Sequence, residues 1–270
     1  MKRLLLALFA LALITGPLSA QTVTTSVSGP GQLPGTATND NANAGNVGQI
    51  LTANCPTVTS TATITVTIAT PAVVNWGSAP PFHNTAINVD ACPIVFTTTG
   101  TLPTGISLAT NYWVIPSSIS GNTFQIATSV TNALAGTAVA TSGTQSGTQT
   151  ATASAILATG TALSIGGLTI PAGDWDIEAM CAQQPNGATT SSQFICNLSL
   201  TDNVLTTTPA DNMSIAINGA SISAGAQNFL VTNNGRFSFS TPTKVFVVTQ
   251  ATFAVNSMNV YGFIHARRQR

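Results

Sequence analysis

Asp174, Asp176 and Glu178 alternate with Trp175 and Ile177, so in an extended segment the three carboxylates share one face and the apolar pair the other. Such a row could hold a cation or divide the acid and base duties of glycan cleavage. It also describes a solvent-facing strand whose other face enters a core. That second reading is preferred, because acid and base need contrasting environments and these three carboxylates share one. His83 and His265 are the only histidines, which excludes a multi-histidine metal site within one chain and obliges any Ser-His-Asp triad to use one of them. Neither lies near a Gly-x-Ser-x-Gly turn, and structural roles are expected for both. Asn39 to Gly45 looks like a calcium loop but carries Ile50 where the bidentate Glu belongs. No catalytic residue, metal site or cofactor is therefore expected.

The four cysteines fit an oxidising destination. Cys181 and Cys196 flank the turn-rich Gln183-Gln184-Pro185-Asn186-Gly187 between two strand-like runs, so a hairpin would bring them together. Cys55 and Cys92 are then left to each other by elimination. In a reducing compartment all four would be thiols.

Basic residues are the scarcest chemistry. None falls between Arg3 and Arg236, and Arg267, Arg268 and Arg270 crowd the C-terminus. The first two hundred residues therefore cannot build the cationic surfaces that nucleic acids, nucleotide phosphates or anionic membranes require. The terminal arginines read as a solvated tail or, in an oligomer, as an interface with a neighbouring chain or an acidic partner.

The elements that must position these residues follow from composition. Charged residues make up 5 % of the chain, against about 25 % in ordinary soluble domains. Thr, Val and Ile suit strands, and Gly, Pro, Asn and Ser suit turns, so an all-β protein is predicted. Met1 to Ala20 reads as a secretory signal peptide, with Lys2 and Arg3 before an apolar run that is short for a membrane span. Residues 21–55, rich in Thr, Gly and Asn, read as an extended arm. Residues 56–152 form a small β module, with strands at Ala62 to Ile68, Val73 to Trp76, Ile94 to Thr98, Tyr112 to Ile115 and Thr123 to Ala127, and its Gly136 to Thr152 tail leads into a linker. Residues 153–270 carry seven or eight short strands that fit an antiparallel sandwich or jelly roll, ending in a hairpin at Asn256-Ser257. No segment after the leader shows a helical period.

Phe96-Thr97-Thr98-Thr99-Gly100-Thr101-Leu102-Pro103-Thr104-Gly105-Ile106, then Tyr112 to Ile115, Asn122 to Ile126 and Thr141 to Gly147, resemble a small β module of tailed-bacteriophage structural proteins, including tail-fibre and virion-surface proteins. Ser78 to Cys92 reads as a variant or insertion upstream of it. Ile170 to Ile177, Val247 to Phe253 and Tyr261 to Arg268 are similar to trimeric jelly-roll heads of the complement-globular-head and tumour-necrosis-factor type. The resemblance implies a non-enzymatic fibre or head-decoration component, a homotrimer on the virion surface contacting particle proteins or a host-surface glycan. Trimerisation would also cover edge strands that a charge-poor chain cannot protect with Lys or Glu. The leader and cysteines support an alternative, a secreted prophage-derived adhesin that binds glycans or cells. A glycosidase using Asp174, Asp176 or Glu178 is the third and least favoured reading.

Overall fold

The computed structural model describes residues 44–55, 60–206, 213–216, 221–254 and 257–269. The leader, most of the arm, the Asn39–Gly45 loop up to residue 43, and Arg270 lie outside the described residues. The protein is all-β, with a closed barrel followed by a two-sheet antiparallel sandwich of jelly-roll type.

The barrel contains β2 (Thr61–Val66), β3 (Val74–Asn75), β4 (Pro93–Thr98), β5 (Asn111–Ser120), β6 (Thr123–Ala127) and β7 (Gln149–Thr152), closed in the order β2-β3-β6-β5-β4-β7. One sandwich sheet contains β1 (Ile50–Asn54), β8 (Ala155–Leu157), β10 (Gly173–Pro185), β14 (Asn228–Val231), β15 (Gly235–Phe239) and β17 (Met258–Arg268). The other contains β9 (Leu163–Ile170), β11 (Thr189–Ser199), β12 (Met213–Ala216), β13 (Ser221–Ile222) and β16 (Thr243–Phe253).

Two strands read as continuous apolar runs because both their faces are buried. In β5, Tyr112 and Val114 enter the barrel core, while Trp113 and Ile115 enter a separate cluster with Ala91, Val130, Phe246 and Val248. In β16, Phe246 and Val248 join that same cluster, and Val245 and Val247 face the sandwich core. Barrel and sandwich thus share a third core, reinforced by Trp113 Nε1 donating to the Ser164 carbonyl at 3.2 Å.

The Gly136 to Thr152 tail does not lead into a linker: its end is β7, a barrel strand held between β2 and β4, and β8 starts at Ala155. The two strands flanking Asn256-Ser257 do not pair as a hairpin: β16 pairs with β9 and β11, and β17 with β1, β8 and β10, so they belong to different sheets, while Asn256 itself lies outside the described residues. Each strand's apolar face meets the other across the core, a relation that alternation alone cannot distinguish from lateral pairing. A six-residue helix, α1 (Val130–Ala135), is present, capped by the Ser129 side chain, which accepts from the Asn132 N–H, and by Gly136 at φ 74°. It is too short to show a helical period. The arm's last residues form β1, antiparallel to β17 with Ile50 opposite Arg267 and Asn54 opposite Phe263.

Cys55 and Cys92 are disulfide-bonded, as are Cys181 and Cys196, with Cα separations of 5.2 and 5.5 Å. The second bond is not the closure of a hairpin. Cys181 lies on β10 and Cys196 on β11, in different sheets, so the bond crosses the sandwich core.

Candidate functional site

The outer face of the β1-β17-β10 sheet gathers most of the ionisable side chains singled out in the sequence. Trp175 and Ile177 are buried, and their alternation turns Asp174, Asp176 and Glu178 outward. Asp174 accepts from Arg236 on β15 at 3.4 Å. Asp176 stands opposite Arg236 on one side and Arg267 on the other, and Glu178 lies opposite His265, with Oε1 3.3 Å from Nδ1. The acidic row is therefore flanked on both sides by basic or imidazole groups, an arrangement no local reading of β10 could reveal. A shallow recess of about 190 Å³ lies over Asp176, Glu178, His265 and Arg267. Exposed pairs of this kind contribute about 0–1 kcal/mol each and mainly fix strand register and charge pattern. Among the described residues no group of three or more His, Cys, Asp or Glu is placed to hold a metal ion.

The terminal arginines separate. Arg267 is exposed beside Asp176. Arg268 is only 7 % exposed, and its guanidinium lies 4.5 Å from the Trp175 ring centroid. It donates through Nη1 to the Ala172 carbonyl at 2.8 Å and through Nε to Gln49 Oε1 at 3.3 Å. It is thus a pin between the end of β17, the β9–β10 turn and the chain before β1, and it is not a surface contact. Alternation gave no signal for this, since Arg at a chain end defaults to solvent.

His83 sits in the Ser78 to Cys92 segment that the sequence marked as an insertion, and that segment is a brace. Thr52 donates through its N–H to the Ile87 carbonyl at 2.7 Å, and the Val89 N–H returns to the Thr52 carbonyl at 2.8 Å. At its centre is Asp90, fully buried and missed by sequence reasoning. Its carboxyl accepts from the Asn54 N–H at 2.7 Å and the His83 N–H at 2.7 Å, and lies 2.9 Å from His83 Nδ1. Burial nonetheless raises this carboxyl above its ordinary range, the hydrogen bonds offsetting only part of the effect.

That raised value carries a pH prediction. The folded chain holds the Asp90 proton more tightly than the unfolded chain, so protonation adds stability that is complete below the ordinary 3.8 and is lost as pH rises through the higher folded value. Relative to Asp90→Asn, which cannot titrate, the native chain is expected to gain unfolding free energy on acidification from neutrality to about pH 4. Urea unfolding across that range measures it, and a difference independent of pH would contradict the burial argument.

The class defined by this geometry is a disulfide-crosslinked, charge-poor β protein with a barrel docked on a sandwich and an ion-paired outer sheet face. No family model matches the chain, and no curated protein matches it. Among solved structures it is similar to infectious bursal disease virus, Gx strain, and to the VP2 subviral particle of the same virus. Each is 12 % identical with a TM-score of 0.27, over 43 % of this chain and 30 % of that one. The Gt strain of that virus gives 13 % identity and the same TM-score over 82 % of this chain and 56 % of that one. The chain spans less than two thirds of the length of each of these chains.

Proposed function

We propose that the protein is a non-enzymatic phage virion structural component, of fibre or head-decoration type, that assembles as a homotrimer and presents its barrel and sheet faces on the particle surface. One observation carries the assembly part. Strand β14 ends the sheet order β1-β17-β10-β14 and bears Phe229 and Val231 at 52 % and 51 % exposure. No charged residue occurs between Asp211 and Arg236 to keep this edge from pairing. An uncharged, aromatic-bearing edge is a template for association unless another surface covers it. Copies of the same neutral chain supply that cover at no electrostatic cost.

Light scattering is expected to give a trimer, and Phe229→Asp to give a monomer. A stable native monomer would overturn the assembly reading. Arg267→Ala is expected to weaken the trimer while changing monomer stability by no more than about 0.5 kcal/mol. Arg268→Ala is expected to cost about 2 kcal/mol through its lost ring and carbonyl contacts. Equal effects of the two variants on stability would contradict the separate roles given to them.

The two disulfides favour a second reading, a secreted adhesin made in an oxidising compartment. Mass spectrometry separates the two. A chain starting at Gln21 in the medium or periplasm supports secretion, and an intact Met1 chain in purified virions supports the particle role.

A further inference from the structure

The two sheets of the sandwich meet at two edges, and the edges differ. Their orders, β1-β17-β10-β14 and β12-β11-β16-β9, put β1 against β9 at one edge and β14 against β12 at the other. At the first edge β1 pairs with β17 and β9 with β16, so the two strands face each other across a seam. Leu51 of β1 and Leu168 of β9 both belong to the sandwich core, and between them that core reaches the surface in a recess of about 240 Å³. Val89 of the brace, Pro116 of β5, and Ala133 and Leu134 of α1 complete its apolar lining. An apolar cavity of about 150 Å³ accepts a benzene ring, so this recess has room for a phenylalanine side chain.

The opposite edge carries the counterpart. Phe229 on β14 is the one exposed aromatic side chain among the described residues. Its neighbour Leu230 packs on the sandwich core, and strand alternation therefore turns Phe229 outward. An aromatic side chain buries about 150–250 Å² on entering a pocket, which makes it an effective interface anchor. The two surfaces also match in charge. No charged residue lines the recess, and none occurs between Asp211 and Arg236 around Phe229, so docking one on the other strips water from no ion. Their placement selects the symmetry. A two-fold contact brings the same patch of both copies together, whereas projection and recess here lie at opposite edges of one sandwich. A head-to-tail contact joins two different patches and closes into a ring.

We propose that Phe229 of one copy enters the β1–β9 recess of the next, so that three copies close head to tail. The inference rests on the homotrimer reading and adds the other half of its interface, made by β1, β9, the brace and α1. Each copy gives one aromatic and receives one, and no β14 edge is left uncovered around the ring.

Photocrosslinking of the oxidised protein with p-benzoylphenylalanine in place of Phe229 tests this without altering the recess. Isotopically light and heavy chains are assembled together, so that mass spectrometry tells links between copies from links within one. Irradiation is expected to join position 229 of one copy to a peptide of another that contains Ser117, Leu134 or Leu168. Ser117 of β5 and Thr169 of β9 line the recess at exposed positions, so Ser117→Trp obstructs it and Thr169→Asp charges it with little effect on folding. At an unchanged melting temperature, each is expected to raise the trimer dissociation concentration at least about tenfold. Links from position 229 to the β14 segment of another copy, or only within one chain, would overturn the contact, as would variant trimers as tight as the native one. Light scattering separates the readings: a native monomer sinks the homotrimer itself, whereas a native trimer with any of those results sinks the head-to-tail contact alone.

Discussion

Replacing Trp113 by alanine is expected to lower the melting temperature by about 10 °C and to split one unfolding transition into two. Trp113 is buried in the cluster shared by barrel and sandwich, against Val130, Phe246 and Val248, and its indole N–H satisfies the Ser164 carbonyl. Deleting a buried Trp side chain costs about 3–5 kcal/mol, through lost transfer energy and an unfilled cavity. Here the cost falls on the junction. The cores on either side, one inside the barrel and one between the sheets, keep their own contacts. Calorimetry measures both effects. A single transition shifted by less than about 2 °C would show that Trp113 does not couple the two parts.

Breaking both disulfides is expected to have the larger effect and to prevent folding at physiological temperature. In the chain-entropy model, closing the 15-residue separation of Cys181–Cys196 is worth about 3 kcal/mol, and the 37-residue separation of Cys55–Cys92 about 4 kcal/mol. Their sum is comparable to the roughly 5–15 kcal/mol net stability of a whole domain. The two bonds act at different joints. One crosses the sandwich core, and the other ties the end of β1 to the start of β4, beside the Asp90 brace. Unfolding in guanidinium with and without reductant, and Cys→Ala pairs removed singly, apportion the effect. A reduced chain with an unchanged midpoint would contradict it.

What could be read from the sequence depended on whether a residue's partner was close along the chain. β10 was legible because Trp175 and Ile177 alternate with Asp174, Asp176 and Glu178, and alternation is a property of one strand. Which sheet a strand joins is not such a property, and so β16 and β17 read as a hairpin. β7 was missed because its buried positions are Gln149 and Ala151, and it becomes a strand only through β2 and β4, each more than fifty residues distant. Arg268 and Asp90 follow the same rule from the other side. Charged residues default to the surface, and contacts with Trp175, Ala172 and Gln49, or with Asn54 and His83, hold these two inside. The acidic row was visible, but the cations that flank it come from β15 and β17.

The pairing of β1 with β17 also decides how the folded unit is entered and left. The Gly48 N–H donates to the Arg268 carbonyl at 2.9 Å and the Arg268 N–H to the Gln49 carbonyl at 2.8 Å, so the two ends of the described chain run side by side at one place. In topological terms the unit is a nearly closed ring. A short bridge from Gln269 back to Ala44, with new ends opened at a surface turn, would give a circular permutant that keeps every strand pairing. A tether fused at either end would anchor the unit at this same spot.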